Sequence, residues 1–120
     1  MSKTSFLRRA SDMQQAPLAR CHDGQGELQW TEVLHCFADT GRRLNFFHDD
    51  VLKPGVSVGI HHHQDDEEYY YVVSGNGIMT LDGEEFEVGP GDIAAVYAGG
   101  SHGLRNHTDR DLRILVVSVS

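Results

Sequence analysis

Short runs in which apolar and polar side chains alternate are spread along most of this chain. The clearest alternation spans residues 84–88, and residues 44–52 and 112–119 are strand-like runs that combine aliphatic, aromatic or β-branched residues with polar ones. Turn-forming pairs separate such runs, among them Pro54-Gly55 and Asp82-Gly83, and the second pair is the strongest hairpin signal in the chain. Alternation with a period of two residues is typical of strands that bury one face and expose the other.

About nine short strands are predicted in all, at a spacing of roughly eight to ten residues. The other six predicted strands cover residues 27–37, 55–63, 68–73, 78–81, 93–97 and 102–106. No segment shows a convincing helical period. Many short strands at even spacing favour an all-β fold, either a sandwich or a closed barrel.

Residues 1–20 differ from the rest, because their apolar side chains follow no sustained period. We expect an N-terminal arm over residues 1–20, docked on its own barrel or on a neighbouring chain, and a single barrel over residues 21–120. The pair Arg8-Arg9 is followed by no apolar stretch, which argues against an export signal and for a cytoplasmic location. No run of eighteen apolar residues is present, so no membrane partner is predicted.

The chain has 120 residues, enough for one domain with one modest core. It carries 10 Lys and Arg against 18 Asp and Glu, a formal net charge of −8, and it has no basic cluster. Binding to nucleic acid depends on neutralising phosphates, so the charge argues against that class of partner. Two cysteines, Cys21 and Cys36, are no disulfide framework and are expected to be reduced.

A cluster of potential metal ligands lies in the strand-like stretch after Gly55. His61 and His63 are two residues apart and therefore share one face of a strand. If the polar link after them folds back in a tight turn, Glu68 comes to lie beside both imidazoles. Two imidazoles and a carboxylate on one face suit a borderline divalent ion. A third imidazole is available from His102, which follows another strand-like run.

These residues and their spacing resemble the two sequence motifs of the cupin family. The first motif, G-x5-H-x-H-x3,4-E-x6-G, is met in full, and the second, G-x5-P-x-G-x2-H-x3-N, is met except that Tyr97 stands in the place of the proline. The matching positions are Gly55, His61, His63, Glu68 and Gly75, followed by Gly91, Gly99, His102 and Asn106. The resemblance covers about residues 40–120.

Glu67 is a rival for the position of Glu68 within the first motif. Only Glu68 leaves six residues before Gly75, so Glu68 is chosen as the ligand. Alternation along the strands then turns Glu67 and His62 to the outside of the barrel.

Resemblance to cupins implies a double-stranded β-helix, the jelly-roll barrel built from two sheets. It also implies one divalent transition metal per chain, with Mn or Fe favoured and Ni, Zn or Co compatible with the same nitrogen and oxygen donors. The implied metal ligands are His61, His63, Glu68 and His102. A homodimer is expected as well, because a sandwich of this size has exposed edge strands and cupins commonly cover them with a partner chain.

The period of two also assigns side chains to the barrel interior. Tyr70 shares the face of Glu68 and is the candidate for hydrogen bonding or proton transfer, although a core aromatic residue with a capped hydroxyl fits the same pattern. Ser57 and Gly59 are expected on the face of the two ligand histidines. The remaining residues expected to line the interior are Phe47, Met79 and Leu81.

We identify no inward Lys or Arg in this interior, so the expected partner is a compact, weakly charged small molecule with neighbouring oxygens, such as an enol, a diketone or an aromatic polyol. The sequence predicts a metalloenzyme, with a dioxygenase slightly favoured over an isomerase, a cyclase or a decarboxylase. The fold itself does not choose among these reactions. A non-catalytic metal- or ligand-binding module is the alternative.

Overall fold

The computed structural model describes residues 6–34, 39 and 43–120. Within these residues the chain forms short 3-10 turns at Ala10–Asp12 and Cys21–Asp23, and ten strands. The strands are β1 (Gln14–Ala19), β2 (Glu27–Leu34), β3 (Leu44–Leu52), β4 (Ser57–His62), β5 (Glu67–Ser74), β6 (Gly77–Leu81), β7 (Glu84–Val88), β8 (Ile93–Val96), β9 (Ser101–Arg105) and β10 (Leu112–Val119).

The strands form two antiparallel sheets. One has six strands in the order β1-β2-β3-β10-β5-β8, and the other has four strands in the order β4-β9-β6-β7. Apolar side chains from both sheets meet in one core, where Val72 and Ile114 of the first sheet join Met79 and Leu104 of the second. This arrangement is the jelly roll, so the predicted all-β fold class is confirmed.

Strand β10 shows how the core gives way to a polar region. Its inward side chains alternate strictly with outward ones, and Leu112, Ile114 and Val116 are all buried. The next inward side chain is Ser118, which is also buried and which pairs in register with Glu68 on β5. A row of apolar residues therefore ends in two buried polar groups, and this change marks the position of the candidate site.

Part of the predicted arm belongs to the barrel sheet. Strand β1 pairs with β2 of the same chain, with Ala16 opposite Trp30 and Leu18 opposite Leu28. The alternation that normally reveals a strand is missing because five of the six β1 residues are exposed. Residues 1–5 of the arm lie outside the described residues, as do residues 35–37 of the predicted strand 27–37. The homodimer stays a prediction.

The loop before β10 is fastened by one buried amide. Asn106 donates through Nδ2 to the carbonyl oxygens of Leu52 at 2.9 Å and of Arg110 at 2.6 Å. Its Oδ1 accepts from the backbone N–H of Thr108 at 3.0 Å. These bonds tie the end of β3 to the link between β9 and β10, which explains the use of an asparagine at this motif position.

Within the described residues, no helix has the length and apolar character needed to cross a lipid bilayer.

Candidate metal centre

Four side chains from three strands converge inside the barrel. His61 lies in β4, His63 directly follows it, Glu68 lies in β5 and His102 lies in β9. One ligand atom from each lies within 4.8 Å of the others, and all but His61 are buried. The structure thus brings together the four residues that the motif spacing selected.

The Nε2 atom of His102 lies close to the ligand atoms of the other three residues. It is 3.1 Å from Nε2 of His61, 3.1 Å from Nε2 of His63 and 3.0 Å from Oε1 of Glu68. The same Oε1 atom is 3.5 Å from Nε2 of His63 and 3.9 Å from Nε2 of His61. The four atoms surround one common point.

In His61 and His63 the Nδ1 atom, which points away from this common point, makes a hydrogen bond. That hydrogen bond decides which ring nitrogen carries the proton and which keeps its lone pair. Nδ1 of His61 lies 2.8 Å from the carbonyl oxygen of Gly59, and Nδ1 of His63 lies 3.0 Å from Oδ1 of Asp66. A carbonyl or a carboxylate only accepts, so in the neutral rings Nδ1 carries the proton and Nε2 is unprotonated. Lone pairs and a carboxylate at these distances repel one another unless a cation lies among them, so the donor set fits a divalent metal ion.

Protons compete with a metal ion for these groups. Burial by itself would raise the pKa of Glu68, but interactions with His102 and His61 dominate and lower it to about 2, so the carboxylate is charged. Burial lowers the pKa of His102, which keeps that imidazole neutral near pH 7. Burial also acts to lower the pKa of His61, but Glu68 and the Gly59 carbonyl outweigh it and raise the value. The raised pKa of His61 means that a proton competes with a metal ion for this ring, so neutral or mildly alkaline conditions favour metal binding.

A β-bulge in β4 sets the direction of His61. Val58 pairs with Leu104 and His61 pairs with His102, so three steps on β4 oppose two on β9. The extra residue reverses which residues before it point inward, so Val58 points into the core and its neighbours Ser57 and Gly59 do not. The prediction that Ser57 and Gly59 line the interior is therefore wrong. The bulge was not visible in the alternation pattern.

A short turn before β2 covers one side of the cluster. Arg20, His22 and Asp23 all have positive φ angles, an uncommon conformation for residues with side chains. The ring of His22 stacks on the ring of His61, with centroids 3.6 Å apart and planes inclined by 11°. Sequence reasoning assigned His22 no role, because its partner lies 39 residues further along the chain and no local pattern connects them.

Tyr70 and its neighbours form the inner wall next to the metal ligands. Tyr70 is 3% exposed, and its ring centroid lies 4.6 Å from that of His102. Met79 is fully buried, and Leu81 packs against the core, as predicted. Phe46 packs against the core in place of the predicted Phe47.

The Phe47 prediction is wrong because the face of β3 is fixed by its partner strand. Phe46 pairs with the inward Ser118 of β10, and Phe47 pairs with Val117 on the outer face. The two outward assignments hold, since His62 is exposed and Glu67 accepts a hydrogen bond from Tyr69 on the outside of β5.

A chain of hydrogen bonds supports His63 from behind. Asp66 accepts from Nδ1 of His63 through Oδ1, and its Oδ2 accepts from the hydroxyl of Ser118 at 2.9 Å. That hydroxyl in turn accepts from Nδ2 of Asn45 at 3.1 Å. Sequence reasoning left Asp66 as an acid of a solvated loop, because its partner Ser118 is 52 residues away in sequence.

Replacing Asp66 with asparagine is expected to weaken metal binding by about 10- to 100-fold, the usual cost of removing the carboxylate that orients a ligand histidine. An asparagine turned with its amide towards His63 offers that ring a donor in place of an acceptor. Affinity is measured by competition with a chromophoric chelator. The matched control is Asp65→Asn, a change at the exposed neighbouring acid. Equal affinities for the two variants would remove the orienting role from Asp66.

Comparisons with known proteins agree with this architecture. Residues 49–118 match the family described as Cupin domain. The solved structure of a predicted oxalate decarboxylase from Thermotoga maritima superposes with a TM-score of 0.88 at 28% identity, over 95% of this chain and 98% of that one. None of the curated proteins matches this chain.

Two further solved structures show the range of similar chains. The polyketide cyclase RemF from Streptomyces resistomycificus has a TM-score of 0.79 at 23% identity, over 97% of this chain and 80% of its own, and this likeness concerns the fold alone. A sugar phosphate isomerase from Silicibacter pomeroyi has a TM-score of 0.64 at 26% identity, over 76% of this chain and 59% of its own.

Proposed function

This chain belongs to the cupin family, and on that premise we propose that it is a metal-dependent enzyme that rearranges or cleaves a compact, oxygen-rich small molecule. The observation that carries the proposal is the buried convergence of three imidazole nitrogens and one carboxylate beside the phenol of Tyr70. A buried phenol beside a metal centre is placed to hold or move a proton of a substrate bound there.

His61, His63, Glu68 and His102 are the residues that would hold the ion, with Mn or Fe favoured and Ni, Zn or Co compatible. A six-coordinate ion with four protein ligands keeps two positions for substrate and acts there as a Lewis acid on a carbonyl or enol oxygen. The half-buried ring of His61 lies on the more open side of the cluster, and His22 stacks against it.

Tyr70 is the candidate to hold or move a proton beside the bound substrate. Burial raises its pKa well above 10, and Glu68, Cys21 and Asp50 add to the rise, so the phenol keeps its proton at neutral pH. Burial likewise raises the pKa of Cys21 to about 11, so the thiol is neutral as well. The wall beside the ligands therefore supplies hydrogen-bond donors without adding charge.

The charge distribution favours a weakly charged substrate. Every described Lys and Arg is exposed except Arg8, which pairs with Asp39 at 2.7 Å on the arm side of the molecule. The described part of the chain therefore provides no inward cation to clamp a phosphate or a dicarboxylate. Enols, hydroxyketones and diketones fit these conditions, since their neighbouring oxygens bind an ion directly.

The named activities of similar structures support Lewis-acid chemistry over oxygen activation. The chain at 28% identity is described as a predicted oxalate decarboxylase, and one at 26% is a sugar phosphate isomerase. Both names concern charged substrates, so these neighbours support the type of reaction and not the weakly charged substrate proposed for this chain. The dioxygenase predicted from the sequence is the second candidate, favoured by a donor set that accepts redox-active iron or manganese. The non-catalytic binding module is the third.

Separate loading of the metal-free protein with Fe(II), Mn(II), Ni(II) and Zn(II) tests the proposal. Each form is screened against enols, hydroxyketones and diketones, with and without oxygen. We expect turnover by the zinc form under strict anaerobiosis. Turnover confined to the iron or manganese form with stoichiometric oxygen uptake would establish the dioxygenase instead. A lack of turnover in every form, with no spectral change at the metal on adding substrate, would leave only the binding module.

A further inference from the structure

Asp50 is a buried acid that the metal centre does not use. It lies in the middle of β3 and is 6% exposed. Its cross-strand partners are Trp30 on β2 and Ile114 on β10, and Ile114 belongs to the core. Leu52, two residues further along β3, is fully buried on the same face. The side chain of Asp50 therefore points into the barrel.

The two oxygens of this carboxyl group have different surroundings. The backbone N–H of Thr31 on β2 donates a hydrogen bond to the carboxyl group. Oδ1, by contrast, has no hydrogen-bond partner within the described residues. A buried carboxyl oxygen without a partner costs on the order of 1–3 kcal/mol, so its retention calls for an explanation. Binding of a ligand group to Oδ1 would remove that cost.

Asp50 shares its interior with the metal ligands. The charge of Glu68 acts on Asp50, and Asp50 and Glu68 both act on the thiol of Cys21 and on the phenol of Tyr70. These four groups come from β3, β5 and the Cys21–Asp23 turn, and their charges interact through the barrel interior.

We propose that Asp50 is a catalytic acid–base of the interior, which binds a substrate oxygen through Oδ1 and exchanges a proton with the substrate while another part of the substrate is held at the metal centre. The proposal rests on the proposed function and adds a residue to it. The ligand class it implies is a molecule with an oxygen atom that accepts a hydrogen bond, placed beyond the pair of oxygens that bind the metal.

The proton transfer balances without a further reactant. As a carboxylate, Asp50 takes a proton from a carbon next to a carbonyl group, and the electron pair of that C–H bond forms a C=C bond while the carbonyl π pair moves to oxygen. The carbon that loses this proton carries a hydroxyl group. As the resulting acid, Asp50 returns the same proton to the former carbonyl carbon, where the C=C pair forms the new C–H bond. The O–H pair of the hydroxyl group then forms the new carbonyl on the first carbon, and the hydroxyl proton passes to the former carbonyl oxygen. The net change is an isomerisation with no gain or loss of atoms.

The protonation state of Asp50 suits this role. Burial raises its pKa to about 7, and the charges of Asp49 and Glu68 add to the rise while the Thr31 hydrogen bond opposes it. The neighbouring inward groups of β10 are apolar, and the titratable groups that face Asp50 from elsewhere are Cys21, Glu68 and Tyr70, with Glu32 acting on the adjacent His48. Both forms of Asp50 are therefore populated near neutral pH, which is the condition for acid–base catalysis.

The first part of the test needs neither metal nor substrate. Carbon-13 NMR titration of the aspartate carboxyl groups is expected to show one group that titrates near pH 7, absent from Asp50→Asn and present in Asp49→Asn. Asp49 is the matched control, because it lies one residue away on the outer face and pairs with Arg113 at 2.6 Å. If every aspartate titrates below pH 5 in the wild-type protein, the proposal is overturned.

The second part uses maltol, a ring hydroxyketone whose neighbouring hydroxyl and carbonyl oxygens bind the metal and whose ring oxygen lies beyond that pair. It is titrated into the zinc-loaded protein at pH 6 and pH 8. The acid form of Asp50 donates a hydrogen bond and the carboxylate cannot, whereas the amide of the Asp50→Asn variant donates at both pH values. The ratio of wild-type to Asp50→Asn affinity is therefore expected to fall about tenfold from pH 6 to pH 8. The corresponding ratio for Asp49→Asn stays flat. Protonation of maltol and of the metal ligands changes the affinity of the wild-type protein and of the variant equally, so it cancels from the ratio of the two affinities at each pH.

Two outcomes separate this proposal from the proposed function. If the wild-type protein binds zinc and maltol but the Asp50→Asn ratio does not change with pH, Asp50 has no contact with the ligand, and the metal enzyme stands without it. If the wild-type protein takes up no metal, the proposed function fails and the role of Asp50 fails with it.

Discussion

Glutamine in place of Glu68 is expected to lower the affinity for a divalent metal by more than about 100-fold, since even the partners of ligands cost 10- to 100-fold when they are removed. Glu68 is the only charged donor among the four ligands, and it lies 3.0 Å from Nε2 of His102. An amide keeps the shape but removes the negative charge that offsets the ion. Elemental analysis of purified protein and chelator competition measure the loss.

Glu67→Gln is the matched control for this change. Glu67 lies next in sequence but on the outside of β5, where it accepts a hydrogen bond from Tyr69, so its replacement is expected to leave metal binding within about twofold. Affinity in the wild-type protein is also expected to fall below about pH 6.5, because the ligand imidazoles must be neutral. Loss of metal in Glu67→Gln with retention in Glu68→Gln would reverse the assignment of the ligand.

The strands and the ligand set were predictable because they depend on local patterns. The predicted bounds of 44–52, 84–88 and 112–119 coincide with those of β3, β7 and β10. Each of these runs is rich in strand-forming residues or alternates, and each is bounded by a turn or a polar loop. The ligand spacing is local for the same reason, since His61, His63 and Glu68 lie within eight residues.

Which side chains of a strand point into the barrel was less predictable. Alternate residues share a face only along a strand that no bulge interrupts. The bulge between Val58 and His61 reversed the assignment of Ser57 and Gly59. The choice between Phe46 and Phe47 depended on pairing with β10, about 70 residues away. Strand β1 escaped detection because an edge strand with both faces largely exposed has no alternation.

The polar groups behind and beside the ligands were not predictable from local pattern at all. Asp66 is held by a hydrogen bond from Ser118, and His22 stacks on His61. Asp50 is buried among residues of other strands. All of these partners are distant in sequence. A carboxylate in an acidic run and a carboxylate in a barrel interior look alike in sequence. Only the fold distinguishes a solvated charge from a group whose pKa is about 7.

The turn that carries Cys21 and His22 depends on two glycines in close contact, and replacing one of them is expected to have a large effect on stability. Gly24 has φ −73° and ψ −175°, which any residue can adopt, so alanine causes no backbone strain there. A Cβ atom at Gly24 would, however, lie 2.0 Å from the carbonyl oxygen of Ser57 and 2.8 Å from the backbone nitrogen of Gly59. Both are backbone atoms of β4, so no side-chain rotation relieves the clash.

Gly24→Ala is therefore expected to separate the turn from β4 and to lower the free energy of unfolding by at least about 3 kcal/mol. For a domain of this size that corresponds to a melting temperature lower by about 10 °C, measured by thermal unfolding. Gly55→Ala is the control, because Gly55 has φ +82° with no atom within 4 Å of a Cβ, so only a conformational cost of about 1–2 kcal/mol applies. The displaced turn also takes His22 away from His61, so metal affinity falls in Gly24→Ala and stays unchanged in Gly55→Ala. A Gly24→Ala protein that melts above Gly55→Ala would show that the turn does not pack against β4 as closely as described.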